Sequence, residues 1–66
     1  MTYRLVMRQF NAEDELEATR LEDCPRLVRS FILNNDLSAD DWIAGEVYQG
    51  DQLLARLAFN GKPIEV

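Results

Sequence analysis

Carboxylates are the side chains in this sequence with the most chemistry to offer. Between positions 13 and 23, Glu13, Asp14, Glu15, Glu17, Glu22 and Asp23 stand against one base, Arg20, so this stretch carries a charge of −5, equal to that of the whole chain. Asp36, Asp40 and Asp41 form a second acidic group. Carboxylates at this density have two readings. They are a solvated face that keeps a small protein soluble. Or they present phosphate-like charge to a basic groove, with fast, salt-sensitive association. Their spacing leaves both readings open. With twelve acids against seven bases, the chain lacks the basic footprint of a direct nucleic-acid binder. It has no histidine, which removes a triad built on a histidine base, a histidine metal site and a histidine pH switch.

Three other features could carry chemistry. Residues 34–41, NNDLSADD, place Asn34, Asp36, Ser38 and Asp40 at the alternating positions of a calcium loop. Ala39 stands where the sharp turn needs glycine, however, and Gly45 where a bidentate glutamate belongs. The stretch reads as a polar helix-to-strand loop, with Asp40 and Asp41 blunting the start of the strand. Cys24 lies where a helix N-terminus would lower a thiol pKa. Glu22 and Asp23 beside it act in the opposite direction, so it reads as a small helix-start residue. Glu46 is the one charge on an otherwise apolar strand face. A bulge at Gly45 turning it outward, an arginine partner, or a place at the sheet margin would each account for it.

The elements that position these groups follow from periodicity. Residues 2–10 alternate, with Tyr3, Leu5 and Met7 on one side and Arg4, Val6, Arg8 and Phe10 on the other, as in a strand. Residues 11–21 fit either a capped acidic helix or a turn at Asn11–Asp14 followed by a short strand around Leu16 and Ala18, and the strand is favoured. Residues 23–35 predict a helix, with Asp23 as N-cap, Pro25 in the first turn, Leu27, Val28, Phe31 and Ile32 as the buried stripe, and Asn34 or Asn35 ending it in the left-handed conformation. Residues 42–49 and 52–59 predict two strands joined at Gly50–Asp51. That turn pairs Tyr48 with Leu53 and Trp42 with Phe59. It gathers Trp42, Ala44, Glu46, Tyr48, Leu53, Ala55, Leu57 and Phe59 on one face, with Ile43, Val47 and Leu54 as an exposed patch beside Arg56 on the other. A second turn at Asn60–Gly61 predicts an edge strand over 62–66. It pairs Phe59 with Lys62, Leu57 with Ile64 and Arg56 with Glu65, and sets Pro63 opposite Ala58. The expected fold is α+β: an antiparallel sheet of about four strands, with a C-terminal meander, covered on one face by the helix.

With 66 residues, the chain is one domain, 1–66, whose thin core leaves little room for a catalytic pocket. The N-terminal MTYRLVMRQF lacks the apolar core of a signal peptide, no run is long enough to span a bilayer, and Cys24 is unpaired. A reducing cytoplasm is therefore expected.

In size, acidity and small α+β layout, the chain resembles phage-encoded acidic inhibitors of the anti-CRISPR and DNA-mimic type. That resemblance implies blocking by occupancy, the inhibitor excluding DNA from a nucleic-acid-binding surface of a bacterial defence complex. The function expected is a non-enzymatic binding protein, without cofactor or metal, acting on a basic protein partner. Glu13, Asp14, Glu15, Glu17, Glu22 and Asp23 are its main contacts and Asp36, Asp40 and Asp41 secondary ones. A monomer is favoured, with no direct contact to nucleic acid or membrane. The alternative is an adaptor that pairs through a sheet edge or through the Ile43–Val47–Leu54 patch.

Overall fold

A computed structural model describes residues 2–64. β1 (Tyr3–Gln9) and β2 (Glu13–Ala18) form a hairpin across a tight turn at Phe10–Asn11, closed by the Gln9 N–H donating to the Ala12 carbonyl at 2.9 Å. The favoured strand reading of residues 11–21 holds, although the turn, Gln9–Ala12, falls two residues earlier than the expected Asn11–Asp14. A short 3₁₀ turn, Leu21–Asp23, leads into helix α1 (Cys24–Asn34), with Asp23 at the N-cap position and Pro25 in the first turn. β3 (Trp42–Gln49) and β4 (Gln52–Leu57) form the second hairpin. The sheet is wholly antiparallel, in the order β2-β1-β3-β4. Since β2 and β3 both run antiparallel to β1, they are parallel to each other. α1 is the crossover that carries the chain over β1 from one to the other, which leaves the sheet's second face without a helix among the described residues.

The helix ends at Asn34 with Asn35 at the C-cap position, but the left-handed residue that closes it is Asp36, not Asn34 or Asn35. Asp36 adopts a left-handed φ of 52°. The Leu37 N–H bonds the Ile32 carbonyl at 3.0 Å and the Asp36 N–H bonds the Leu33 carbonyl at 3.3 Å, the paired closure of a Schellman motif.

Leu5, Met7, Ala18, Val28, Ile32, Trp42, Val47 and Leu57 form the core with the Cys24 side chain, while Leu27 and Phe31 pack against it partly buried. Two irregularities decide which side chains reach it. The β1–β3 ladder passes from Arg8↔Ala44 to Gln9↔Trp42, which skips Ile43. The β3–β4 ladder passes from Tyr48↔Leu53 to Val47↔Ala55, which skips Leu54. One extra residue reverses the side on which every later side chain falls. The expected apolar face of β3 is therefore corrected. Trp42, Gly45 and Val47 face the helix, and Ala44, Glu46 and Tyr48 face the open side. Val47 is 1% exposed, so the patch of Ile43, Val47 and Leu54 does not exist as a surface.

Gly45 sits under the helix. A Cβ there would lie 3.1 Å from Val28 Cγ2 and 3.3 Å from the Trp42 ring, so the missing side chain is what lets α1 approach β3.

The last hairpin also differs from expectation. The Ala58 N–H bonds the Lys62 carbonyl and the Gly61 N–H bonds the Ala58 carbonyl, each at 2.8 Å, so the loop holds three residues, Phe59–Gly61. Leu57 consequently meets Pro63 in an isolated bridge, not Ile64, and the Ile64 N–H bonds the Arg56 carbonyl at 2.8 Å. Among the described residues this is a bridge, and the fourth strand of the sheet is β2. The expected Arg56–Glu65 pair lies outside the described residues.

Candidate functional site

The helix-free face is where charge collects, and the strand register determines how. β2 alternates, so Glu13, Glu15 and Glu17 point to this face, while Asp14 and Leu16 pair with Met7 and Leu5 on the helix side. β1 contributes Arg4, Val6 and Arg8, β3 contributes Ala44, Glu46 and Tyr48, and β4 contributes Arg56. Cross-strand neighbours are therefore acid against base. Arg8 Nη1 lies 2.9 Å from Glu13 Oε2, and Arg4 Nε lies 3.3 Å from Glu15 Oε1. Glu17 makes no ion pair among the described residues.

Glu46 is the hub of this face. It accepts from Arg8 Nε and, at 3.2 Å, from the Tyr48 hydroxyl, and Arg56 Nε lies 4.0 Å from its other oxygen. The Arg4 guanidinium stacks over the Tyr48 ring, 4.9 Å from its centroid. Val6 and Ala44 are 4% and 0% exposed on this face. Glu46 is thus met by arginine, one of the three explanations its position in the sequence allowed; it faces the open side without a bulge at Gly45, which pairs in register with Met7 and Leu57.

Partial burial pushes the Glu46 carboxyl up. The hydrogen bonds from Arg8 and Tyr48 and the charges of Arg8 and Arg56 outweigh it, leaving the group below the ordinary carboxylate range. A carboxyl depressed in the folded state stabilises the fold above its unfolded pKa, and that contribution is lost as pH falls through the folded one. In urea titrations, wild type is therefore expected to exceed Glu46→Gln in stability above about pH 5, with the gap closing below about pH 4. A gap that persists unchanged in acid would show that Glu46 acts by packing alone.

Most of the acidic residues lie outside this ion-paired lattice. Glu22 pairs with Arg20 in the 3₁₀ turn that follows β2, and Asp23 lies 3.4 Å from Arg26 at the helix start. Asp14 accepts from Gln9 Nε2 at 2.9 Å. Asp40 and Asp41 belong to a second 3₁₀ turn, Ala39–Asp41, where Asp41 and Ser38 form a capping box. The Phe10 N–H donates to the Asp41 carbonyl at 2.8 Å, which sets that turn beside the β1–β2 turn, at the Glu13 end of β2. Glu22 and Asp23 follow the Glu17 end. Eight of the nine acids singled out in the sequence (Glu13, Asp14, Glu15, Glu17, Glu22, Asp23, Asp40 and Asp41) thus lie along β2 or the turns beside its ends. Asp36 does not. It lines an open groove of about 420 Å³ with Arg29, Leu33 and Phe59, toward the β4 side of the sheet.

What the sequence reading missed is the bases. Arg4 and Arg8 neutralise part of the acidic run from the neighbouring strand, a pairing that local charge counting overlooks and that the alternation of β1 could have disclosed. Among the described residues, no three Asp, Glu, Cys or His side chains converge as metal ligands, and no helix is long and apolar enough to cross a membrane.

Cys24 is buried, 1% exposed, and burial followed by the charge of Asp23 pushes its thiol up. It should react with DTNB at a negligible rate in the native protein and promptly in denaturant. Rapid native reaction would contradict this placement.

No known protein family, curated protein or solved structure matches this chain.

Proposed function

We propose that this chain is a non-enzymatic cytoplasmic binding protein that occupies the DNA-binding surface of a basic protein partner, such as a CRISPR-type defence complex. The observation that carries this reading is the row formed by Glu13, Glu15 and Glu17. Alternate residues of an extended strand stand about 7 Å apart and share a face, so the three glutamates recur at a regular interval along one side of β2, as phosphates recur along a nucleic-acid strand. Glu22 and Asp23 extend the charge beyond one end of the row and Asp40 and Asp41 beyond the other, with Asp14 on the same strand. Asp36 stands apart, and its part in binding is the weakest.

The arginines behind the row are consistent with this use. Arg4, Arg8, Glu13 and Glu15 have side chains 42–58% exposed. Exposed pairs of this kind hold by about 0–1 kcal/mol, so they orient the carboxylates without removing them from reach of a partner's bases.

The experiment is capture of proteins from bacterial lysate on immobilised wild type and on the E13Q/E15Q/E17Q variant, eluted by a salt gradient. Nucleic-acid-binding proteins retained by wild type, released as salt rises and absent from the variant are the expected result. Equal capture by both, or a bound fraction indifferent to salt, would overturn the reading.

A further inference from the structure

The same three glutamates that line up on the open face also hold the unused backbone of the sheet. In an antiparallel ladder, residues alternate between pairs that exchange hydrogen bonds and pairs whose N–H and C=O groups point away. The Gln9–Ala12 closure fixes the phase for β1 and β2, making Met7↔Asp14, Leu5↔Leu16 and Tyr3↔Ala18 the bonded pairs. The N–H and C=O groups of Glu13, Glu15 and Glu17 therefore point outward, away from β1. Among the described residues nothing pairs with them, and β2 is an edge in the sheet order. The other edge is partly closed: the Ile64 N–H bonds the Arg56 carbonyl, Leu57 bridges Pro63, and Leu54 bulges beside them.

We propose that the outer edge of β2 binds an extended, basic segment of a protein partner as an added antiparallel strand. The proposal rests on the reading of the glutamate row as a contact surface, and specifies how that surface is engaged. Charge selects the occupant. A second copy of this chain would bring one glutamate row against another, and like charges directly opposite each other repel. A neutral strand would leave the row unanswered, which is how charged edges resist aggregation. A strand with lysine or arginine at alternate positions meets both requirements. Its basic residues, bonded through the backbone to Glu13, Glu15 and Glu17, project their side chains to the same face as those carboxylates. Glu13 already accepts from Arg8 and Glu15 is ion-paired with Arg4 on the inner side, and each carboxylate has acceptor capacity left for a base arriving from the outer side. Beside the Glu17 end, a groove of about 450 Å³ lined by Tyr3, Arg4, Leu16 and Glu17 takes a side chain where the added strand leaves the edge.

The test uses a short synthetic peptide with lysine at alternate positions and threonine between, titrated into the full chain and followed at backbone amides by NMR. Two further peptides carry backbone N-methyl groups, one on the lysines, whose N–H groups face β2, and one on the threonines, whose N–H groups face solvent. Charge and composition match between these two. The lysine-methylated isomer is expected to bind at least about tenfold more weakly than the threonine-methylated one, since it loses several hydrogen bonds. The unmodified peptide should slow amide exchange at Glu13, Glu15 and Glu17 and leave Asp14 and Leu16, already bonded to β1, unchanged. Equal affinity of the two isomers would overturn strand addition while leaving the charge-driven reading of function intact. Failure of the unmodified peptide to bind at low salt would overturn it as well. Selective binding of the peptides with no nucleic-acid-binding protein captured from lysate would support the edge and remove the proposed function.

Discussion

The Val47→Asp variant is expected to show no cooperative unfolding transition at 25 °C, whereas Leu54→Asp folds with a midpoint within a few degrees of wild type. The two residues lie on neighbouring strands, and simple hairpin counting would make them partners. The bulge at Leu54 separates them: Val47 pairs with Ala55 and is 1% exposed in the core, and Leu54 is left 38% exposed. Aspartate at 47 buries a carboxylate among Leu5, Val28 and Leu57 with no base inside the core to meet it. That costs several kcal/mol whether the group stays charged or takes up a proton. A domain of 66 residues has only about 3–10 kcal/mol of stability to lose. Circular dichroism melts of the two variants decide the matter. A folded Val47→Asp protein with an unchanged midpoint would mean that the bulge, and the core built on it, is misplaced.

Gly61→Ala should be the second most damaging small change. Gly61 has a φ of 83°, and a Cβ built on it would lie 2.8 Å from the Pro25 carbonyl oxygen in the first turn of α1. The left-handed conformation alone costs an alanine about 1–2 kcal/mol. The contact with a backbone oxygen adds a strain of about 1–3 kcal/mol, because a carbonyl in a helix cannot move aside as a side-chain tip can. Gly50→Ala is the control: its φ is 60°, and a Cβ there meets nothing within 4 Å. Chemical denaturation should place Gly61→Ala below Gly50→Ala by at least about 1 kcal/mol. Equal losses would show that the C-terminal loop does not rest on the helix as described.

These two sites mark the limit of what could be read from sequence. Elements with a clean period were legible: the alternation of β1, the apolar stripe of α1 and the turn at Gly50–Asp51 all placed their segments correctly. The faces of β3 and the last pairing were not, for one physical reason. A bulge at Leu54, a skipped residue at Ile43 and a third loop residue at Phe59 each shift register by one, and a shift of one exchanges the two faces of a strand. No local residue preference announces those shifts. They are settled by the need to bring Trp42, Val47 and Leu57 together under α1. The candidate site was legible in part for the same reason. The acidic run was visible as composition, but its division into a row of Glu13, Glu15 and Glu17 on one face, with Arg4 and Arg8 behind it, required the pairing of β1 with β2. Asp36 was grouped with Asp40 and Asp41 by proximity in sequence, and the left-handed helix end at Asp36 separates them.

The central claim is that the glutamate row takes the place of nucleic acid on a basic partner. The most direct measurement is displacement of a fluorescent DNA duplex from the nucleic-acid-binding protein that wild type captures, followed by fluorescence anisotropy. Wild type should release the duplex competitively, with a potency that falls as salt rises. The E13Q/E15Q/E17Q variant, folded to the same melting temperature, should release it about five- to tenfold less effectively, the loss expected from removing three surface charges worth several tenths of a kcal/mol each. Equal displacement by the variant, or a ternary complex in which DNA and this chain bind the partner together, would contradict it.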